Sequence, residues 1–147
     1  MQYQRFVAKT RKGFTLVELA VVIVIIGVLA AFGVPRFLKS VERSKAAEAF
    51  AYLAAVRSSQ ERYQAQNGIY SSDIASLDIK ASDPKYFTVG TIAAGSTSSL
   101  QDSWTLTLTR TGASAGYGAY TVIFTQDGYD STNSGIQALS DINPMGQ

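Results

Sequence analysis

From Phe14 to Asn67 one helical periodicity runs through two kinds of sequence. Leu19 to Val34 is sixteen residues with no charged or strongly polar side chain. After Pro35 the apolar residues narrow to a stripe: Phe37, Val41, Phe50, Leu53, Val56 and Tyr63, with Ala at 46, 47, 49, 51, 54 and 55. Lys39, Glu42, Arg43, Lys45, Glu48, Arg57, Glu61 and Arg62 are assigned to the opposite face. A helix apolar all round needs a nonaqueous environment, and one with a stripe needs a partner on one side. The pattern predicts one helix over 14–67, roughly 81 Å long at 1.5 Å per residue, with Gly68 as its C-cap. Gly27, Gly33 and Pro35 are its weak points: Pro35 has no amide to donate, and each Gly costs up to about 1 kcal/mol relative to Ala.

Beyond Gly68 the period changes to two. Trp104, Leu106 and Leu108 alternate with Thr105, Thr107 and Thr109, and Tyr120, Val122 and Phe124 share one face of a second strand. Tyr86 to Ile92 is a further predicted strand, and Ala93 to Ser99 a predicted loop. Gly112 to Gly118 is a hairpin turn, and Asp127-Gly128 another turn. Ser71 or Ser72 is the expected cap of a helical turn through Ala75. The tail from Gln126 shows little periodicity, and either packing holds it or it is mobile. The expected fold class is α+β: a long N-terminal helix whose second half packs through Phe50, Leu53, Val56 and Tyr63 on a small antiparallel sheet.

Charge divides the chain unevenly. Arg5, Lys9, Arg11 and Lys12 make the first thirteen residues strongly basic, whereas the remainder has nine basic and eleven acidic residues. A basic leader before an apolar run is an orientation signal that stays cytoplasmic. There is no Cys and no His, which excludes disulfides, thiol nucleophiles, Cys/His zinc sites and imidazole acid–base catalysis. No phosphate-binding Gly-rich loop follows a strand, so an enzyme is not expected and no cofactor is implied. The expected organisation is a leader (1–13), an apolar helix half (14–35), an amphipathic helix half (36–67) and a β-rich head (68–147).

Glu18 is the anomaly. Phe14 to Val34 is long enough to cross a hydrocarbon core of about 30 Å, yet it carries one carboxylate near its start. A secretory signal peptide has a shorter apolar core. A plain signal anchor fits the length and leaves Glu18 unexplained. The third reading is a leader cut between Gly13 and Phe14, before the apolar run.

Lys12-Gly13-Phe14-Thr15-Leu16-Val17-Glu18 strongly resembles the processing signal of the type IV pilin superfamily, which includes the pilins and the pseudopilins of type II secretion and DNA uptake. The shared elements are a short basic leader ending in Gly, a following Phe, Glu as fifth residue of the mature chain, and a long apolar helix. The resemblance implies cleavage after Gly13 by a prepilin peptidase and N-methylation of Phe14. It also implies pairing of Glu18 with the Phe14 amine of a neighbouring subunit. By the same resemblance, Gly27 to Pro35, including Gly33, lies where pilin helices lose order in filaments. Tyr63 to Tyr70, followed by Leu77-Asp78-Ile79, resembles the stretch after the pilin helix, with Ser71 where many members have Pro.

The chain is therefore expected to be stored in the inner membrane and polymerised with identical subunits by a pilus assembly machinery into a surface filament. The alternatives are a pseudopilin and an uncleaved, signal-anchored binding module. Asp127 and Asp130, with Asp141, are weak calcium candidates, because Asp-x-x-Asp is no EF-hand loop. Lys85 or Arg110 beside aromatic residues offers a place for nucleic acid, but the slightly acidic head has no basic run, so that partner is unsupported.

Overall fold

The computed structural model describes residues 13–112 and 116–146. The chain divides between Arg36 and Phe37 into two compact units. Helix α1, Leu16–Asn67, contains Pro35 within its length. Gly68 follows it with φ +74° and donates its amide to the Gln64 carbonyl at 2.7 Å. That left-handed position, as expected of a C-cap, suits a residue without Cβ.

The second unit carries the sheet. Its strands are β1 (Phe87–Val89), β2 (Ala93–Ala94), β3 (Trp104–Arg110), β4 (Thr121–Thr125) and β5 (Gly128–Tyr129), all pairing antiparallel in the order β1-β3-β4-β5. β2 pairs with the first residues of β3, Ala94 opposite Trp104. The β3–β4 register sets Leu106 against Phe124 and Leu108 against Val122. Trp104, Leu106, Leu108, Val122 and Phe124 thus form one buried face with Ala46, Ala49, Leu53 and Val56 of α1 in the same core. The threonines between them are half-buried, as alternation requires.

Four local expectations are corrected. The strand expected over Tyr86–Ile92 is only Phe87–Val89; Gly90 still donates its amide to the Thr107 carbonyl at 2.9 Å, an approach so close that a Cβ would lie 2.7 Å from that oxygen. The loop expected over Ala93–Ser99 contains β2, formed by backbone pairing that two alanines do not advertise. The turn Ile74–Ser76 is capped by Asp73, whose carboxylate accepts from the Ala75 amide at 3.0 Å. Finally, Glu42 does not lie on a solvated face: it is 1% exposed, whereas Phe37, placed on the apolar stripe, is 67% exposed.

The tail is packed. Ile136 and Ile142 are fully buried, with a 3₁₀ turn over Gly135–Ala138. The Asn143 amide donates to Gln137 Oε1 and the Tyr129 hydroxyl, and Lys39 pairs with Asp141 at 2.8 Å. Packing and side-chain hydrogen bonds close a region that has no cysteine to bridge it.

Candidate assembly segment and the ionic cluster of the head

In the first unit, every large apolar side chain from Leu16 to Val34 is at least 45% exposed. Nothing among the described residues covers this surface, which is long and apolar enough to cross a membrane. Gly27 and Gly33 have open space around the position of a Cβ. Phe14 is 78% exposed, two residues before the start of the helix at Leu16.

Glu18 is placed by Thr15. The Thr15 amide and hydroxyl donate to Glu18 Oε2 at 2.8 and 2.9 Å, and the Glu18 amide donates back to Thr15 Oγ1 at 3.2 Å. This is a capping box: the N-cap side chain satisfies an amide three residues on, and the carboxylate returns to the N-cap amide. The carboxylate also lies at the positive end of the helix dipole. Sequence reading found Glu18 and passed over Thr15, although the Thr-x-x-Glu spacing was a usable signal.

In the second unit, Phe50, Leu53 and Val56 are buried, and Tyr63 is partly buried against the same core. The buried positions Glu42, Ala46, Ala49, Leu53, Val56 and Gln60 advance by four and three residues in turn. This seam is apolar in the middle and polar at both ends. At one end the Gln60 amide donates to the Ser71 carbonyl and accepts from the Ser71 amide, both at 2.8 Å. At the other, Arg110 grips Glu42 in a fork, Nε to Oε1 at 2.6 Å and Nη2 to Oε2 at 3.2 Å. The Tyr120 hydroxyl donates to Oε1 at 3.0 Å, and Lys45 lies 3.4 Å from Oε2. Arg110 Nη1 donates to the carbonyls of Tyr86 and Thr111.

Burial by itself would raise the Glu42 carboxyl. Hydrogen bonds from Arg110 and Tyr120, with the charges of Arg110 and Lys45, outweigh it and hold the carboxyl below its ordinary range. Burial, then the Glu42 charge, pushes the Tyr120 phenol up. Arg110, considered above as a nucleic-acid contact, is 3% exposed and committed to Glu42. Nothing local marks this cluster, because Glu42 and Arg110 are 68 residues apart.

Asp127 and Asp130 border an open polar groove of about 550 Å³ with Thr105, Gln126 and Asn133. Asp130 already accepts from the Thr132 and Asn133 amides and from the Asn133 side chain. Asp141 is engaged with Lys39. Among the described residues no three potential metal ligands gather.

Comparison with known proteins bears on both units. Residues 8–34 match the family model of the prokaryotic N-terminal methylation motif, and residues 35–122 match that of the "Type IV minor pilin ComP, DNA uptake sequence receptor". The fimbrial protein EcpC of Eikenella corrodens is 34% identical over 109 residues, 74% of this chain and 69% of the relative. The type IV major pilin protein PilA of Myxococcus xanthus is 42% identical over 71 residues, 48% of this chain and 32% of the relative. The type II secretion system core protein G of Vibrio cholerae is 35% identical over 78 residues, 52% of this chain and 53% of the relative. An exposed apolar helix behind a methylation motif, an α+β head on the same helix and pilin relatives agree: the chain belongs to the type IV pilin family and is a structural filament subunit, not an enzyme.

Proposed function

We propose that the chain is made as an inner-membrane precursor, cut after Gly13 by a prepilin peptidase, methylated on Phe14 and polymerised with identical subunits into a surface filament. The observation that carries this reading is the uncovered apolar surface of Leu16–Val34 with a capped Glu18 at its start. Such a surface is stable in lipid before assembly and against neighbouring helices afterwards. Identical subunits joined by heterologous contacts make an open helical polymer.

Glu18 acts at the step between those environments. A carboxylate at membrane depth is costly and ordinarily has a partner. In the precursor, Thr15 supplies two hydrogen bonds. After cleavage the Phe14 amine of a neighbour supplies a cation, and the exchange sets the register of the incoming subunit. Gly27, Gly33 and Pro35 are the positions at which the helix loosens inside the fibre.

Mass spectrometry of purified fibres tests the processing: the expected mature chain begins at N-methylated Phe14, and a chain retaining Met1 sinks the reading. Thr15→Ala is expected to slow assembly, and Thr15→Ser to restore it. A filament reconstruction with α1 unbroken through Pro35 removes the loosening step.

A pseudopilin role in secretion is the second reading, favoured by the similarity to core protein G. Loss of protein export on deleting this chain, without loss of surface fibres, would establish it. DNA reception, the role named in the description of the matching minor-pilin family, gains little from the charge: from Phe37 onward there are eight basic and ten acidic residues, and Arg110 is buried.

A further inference from the structure

We propose that the Glu42–Arg110–Tyr120 cluster is a register pin. It fixes where the sheet sits along α1, and therefore where the head presents its surfaces in the polymer. The inference rests on the filament reading above and goes beyond it by assigning assembly geometry to residues far from Glu18 in sequence.

The seam between helix and sheet motivates it. Between Glu42 and Gln60 the fully buried seam residues are Ala46, Ala49, Leu53 and Val56. Small and aliphatic side chains pack without direction. The four-and-three spacing repeats every seven residues, so a slip of one turn keeps Ala46, Phe50 and Leu53 facing the sheet but brings the exposed Arg57 to the place of Leu53. Such a slip moves the head about 5.4 Å along the helix. Apolar packing resists such a slip through size and shape, with Phe50 set against Phe124 and Tyr129 at ring-centroid distances of 5.8 and 4.9 Å.

The polar ends discriminate as well. A slip that brings Ala46 to the place of Glu42 leaves the Arg110 guanidinium buried without its carboxylate and the Tyr120 hydroxyl without its acceptor. The Arg110 fork demands a planar, bidentate partner, which only Glu42 supplies in this seam. Gln60 and Ser71 repeat the device at the other end with two backbone bonds. Cross-bracing further fixes the guanidinium: its carbon lies 5.6 Å from the Tyr86 ring centroid and 6.0 Å from that of Phe87. Buried ion pairs contribute little net stability relative to apolar replacements but penalise wrong arrangements strongly. The cluster is also the first buried point on the helix within the second unit.

The test uses the full-length chain expressed with its assembly machinery. Wild-type fibres are the control: if they fail to form, the filament reading fails, whatever the cluster does. The double variant Glu42→Leu/Arg110→Met removes the pin while filling the space. Its head is expected to melt cooperatively, while fibres of uniform helical rise are lost. Wild-type amounts of fibre with unchanged rise and twist would overturn the proposal. If the double variant does not fold, Arg110→Lys, which keeps the charge and loses the fork, is read in the same way. Unfolding of both variants makes the cluster a stability element and also overturns the proposal.

Discussion

The two parts of α1 share one backbone geometry and differ in almost everything else. From Leu16 to Val34 the apolar side chains point in all directions, and none is buried. From Phe37 to Asn67 a narrow seam is buried against a sheet, with charged or amide side chains at its ends. The first part carries its carboxylate in a local capping box, held by a residue three positions away. The second holds its buried carboxylate by a partner 68 residues away. On the proposed filament reading, a segment that exchanges lipid for protein neighbours is served by contacts that are local and replaceable. A segment that must hold a head in one place is served by contacts that are directional and distant.

The largest effect should come from the first part. Glu18→Ala is expected to abolish fibres by electron microscopy while leaving the melting of the head unchanged. Fibres at wild-type abundance would remove the pairing model and, with it, the contrast between an exchanging and a holding half.

Arg110→Met should have the largest effect on the fold. It leaves the Glu42 carboxylate buried without its main cation, and breaking such a pair costs roughly 3–5 kcal/mol. Urea unfolding of the head measures it; a loss below about 1 kcal/mol would mean that water reaches Glu42 and the burial argument fails. Leu53→Ala comes next, at roughly 2–5 kcal/mol for a fully buried leucine. Its counterpart in the first part, Leu29→Ala, should change head stability by less than about 0.5 kcal/mol, because Leu29 is uncovered in the single chain.

The pH dependence sharpens the same contrast. The Glu42 carboxyl is held low in the folded head, so its contribution is complete above the unfolded carboxylate value of about 4.3. It is lost as pH falls from there through the lower folded value. Thermal melts of the head should therefore drop on acidification below about pH 4. In Glu42→Gln that part of the drop should vanish, with lower stability at neutral pH. An unchanged acid limb in the variant would assign it to other carboxylates. The smallest effect is expected for Lys39→Ala: Lys39 and Asp141 are both about half exposed, and screening weakens such pairs. Its melting midpoint should stay within the scatter of repeated scans.

Much of this was legible in the sequence. Helical period, strand alternation and turn residues are local properties, and they marked α1, β3, β4 and the Gly68 cap to within a residue or two. The processing signal was legible because its charge, Gly, Phe and Glu must coincide within a few residues. The caps at Asp73 and Thr15 were local signals, whereas over Glu42, β2 and the tail the cause of the miss was non-local. Glu42 looks like any helix-surface glutamate until β3 brings Arg110 to it. β2 is made by backbone bonds to β3 that its alanines do not encode as a pattern. The tail looked shapeless because Ile136, Ile142 and Asn143 are too sparse to show a period, yet each finds a buried place.

The sequence by itself determined that this chain has a basic N-terminal stretch, an apolar helix with one acid at its start, and a β-rich head. Composition and periodicity act residue by residue along the chain, and physical chemistry reads them without knowing the fold. Only the tertiary structure decided which charges are buried, and that the seam between helix and sheet is pinned at both ends by polar groups. Burial and pairing are properties of residues brought together from distant positions. Their energetic weight comes from the low dielectric that exists only once the sheet has closed over the helix.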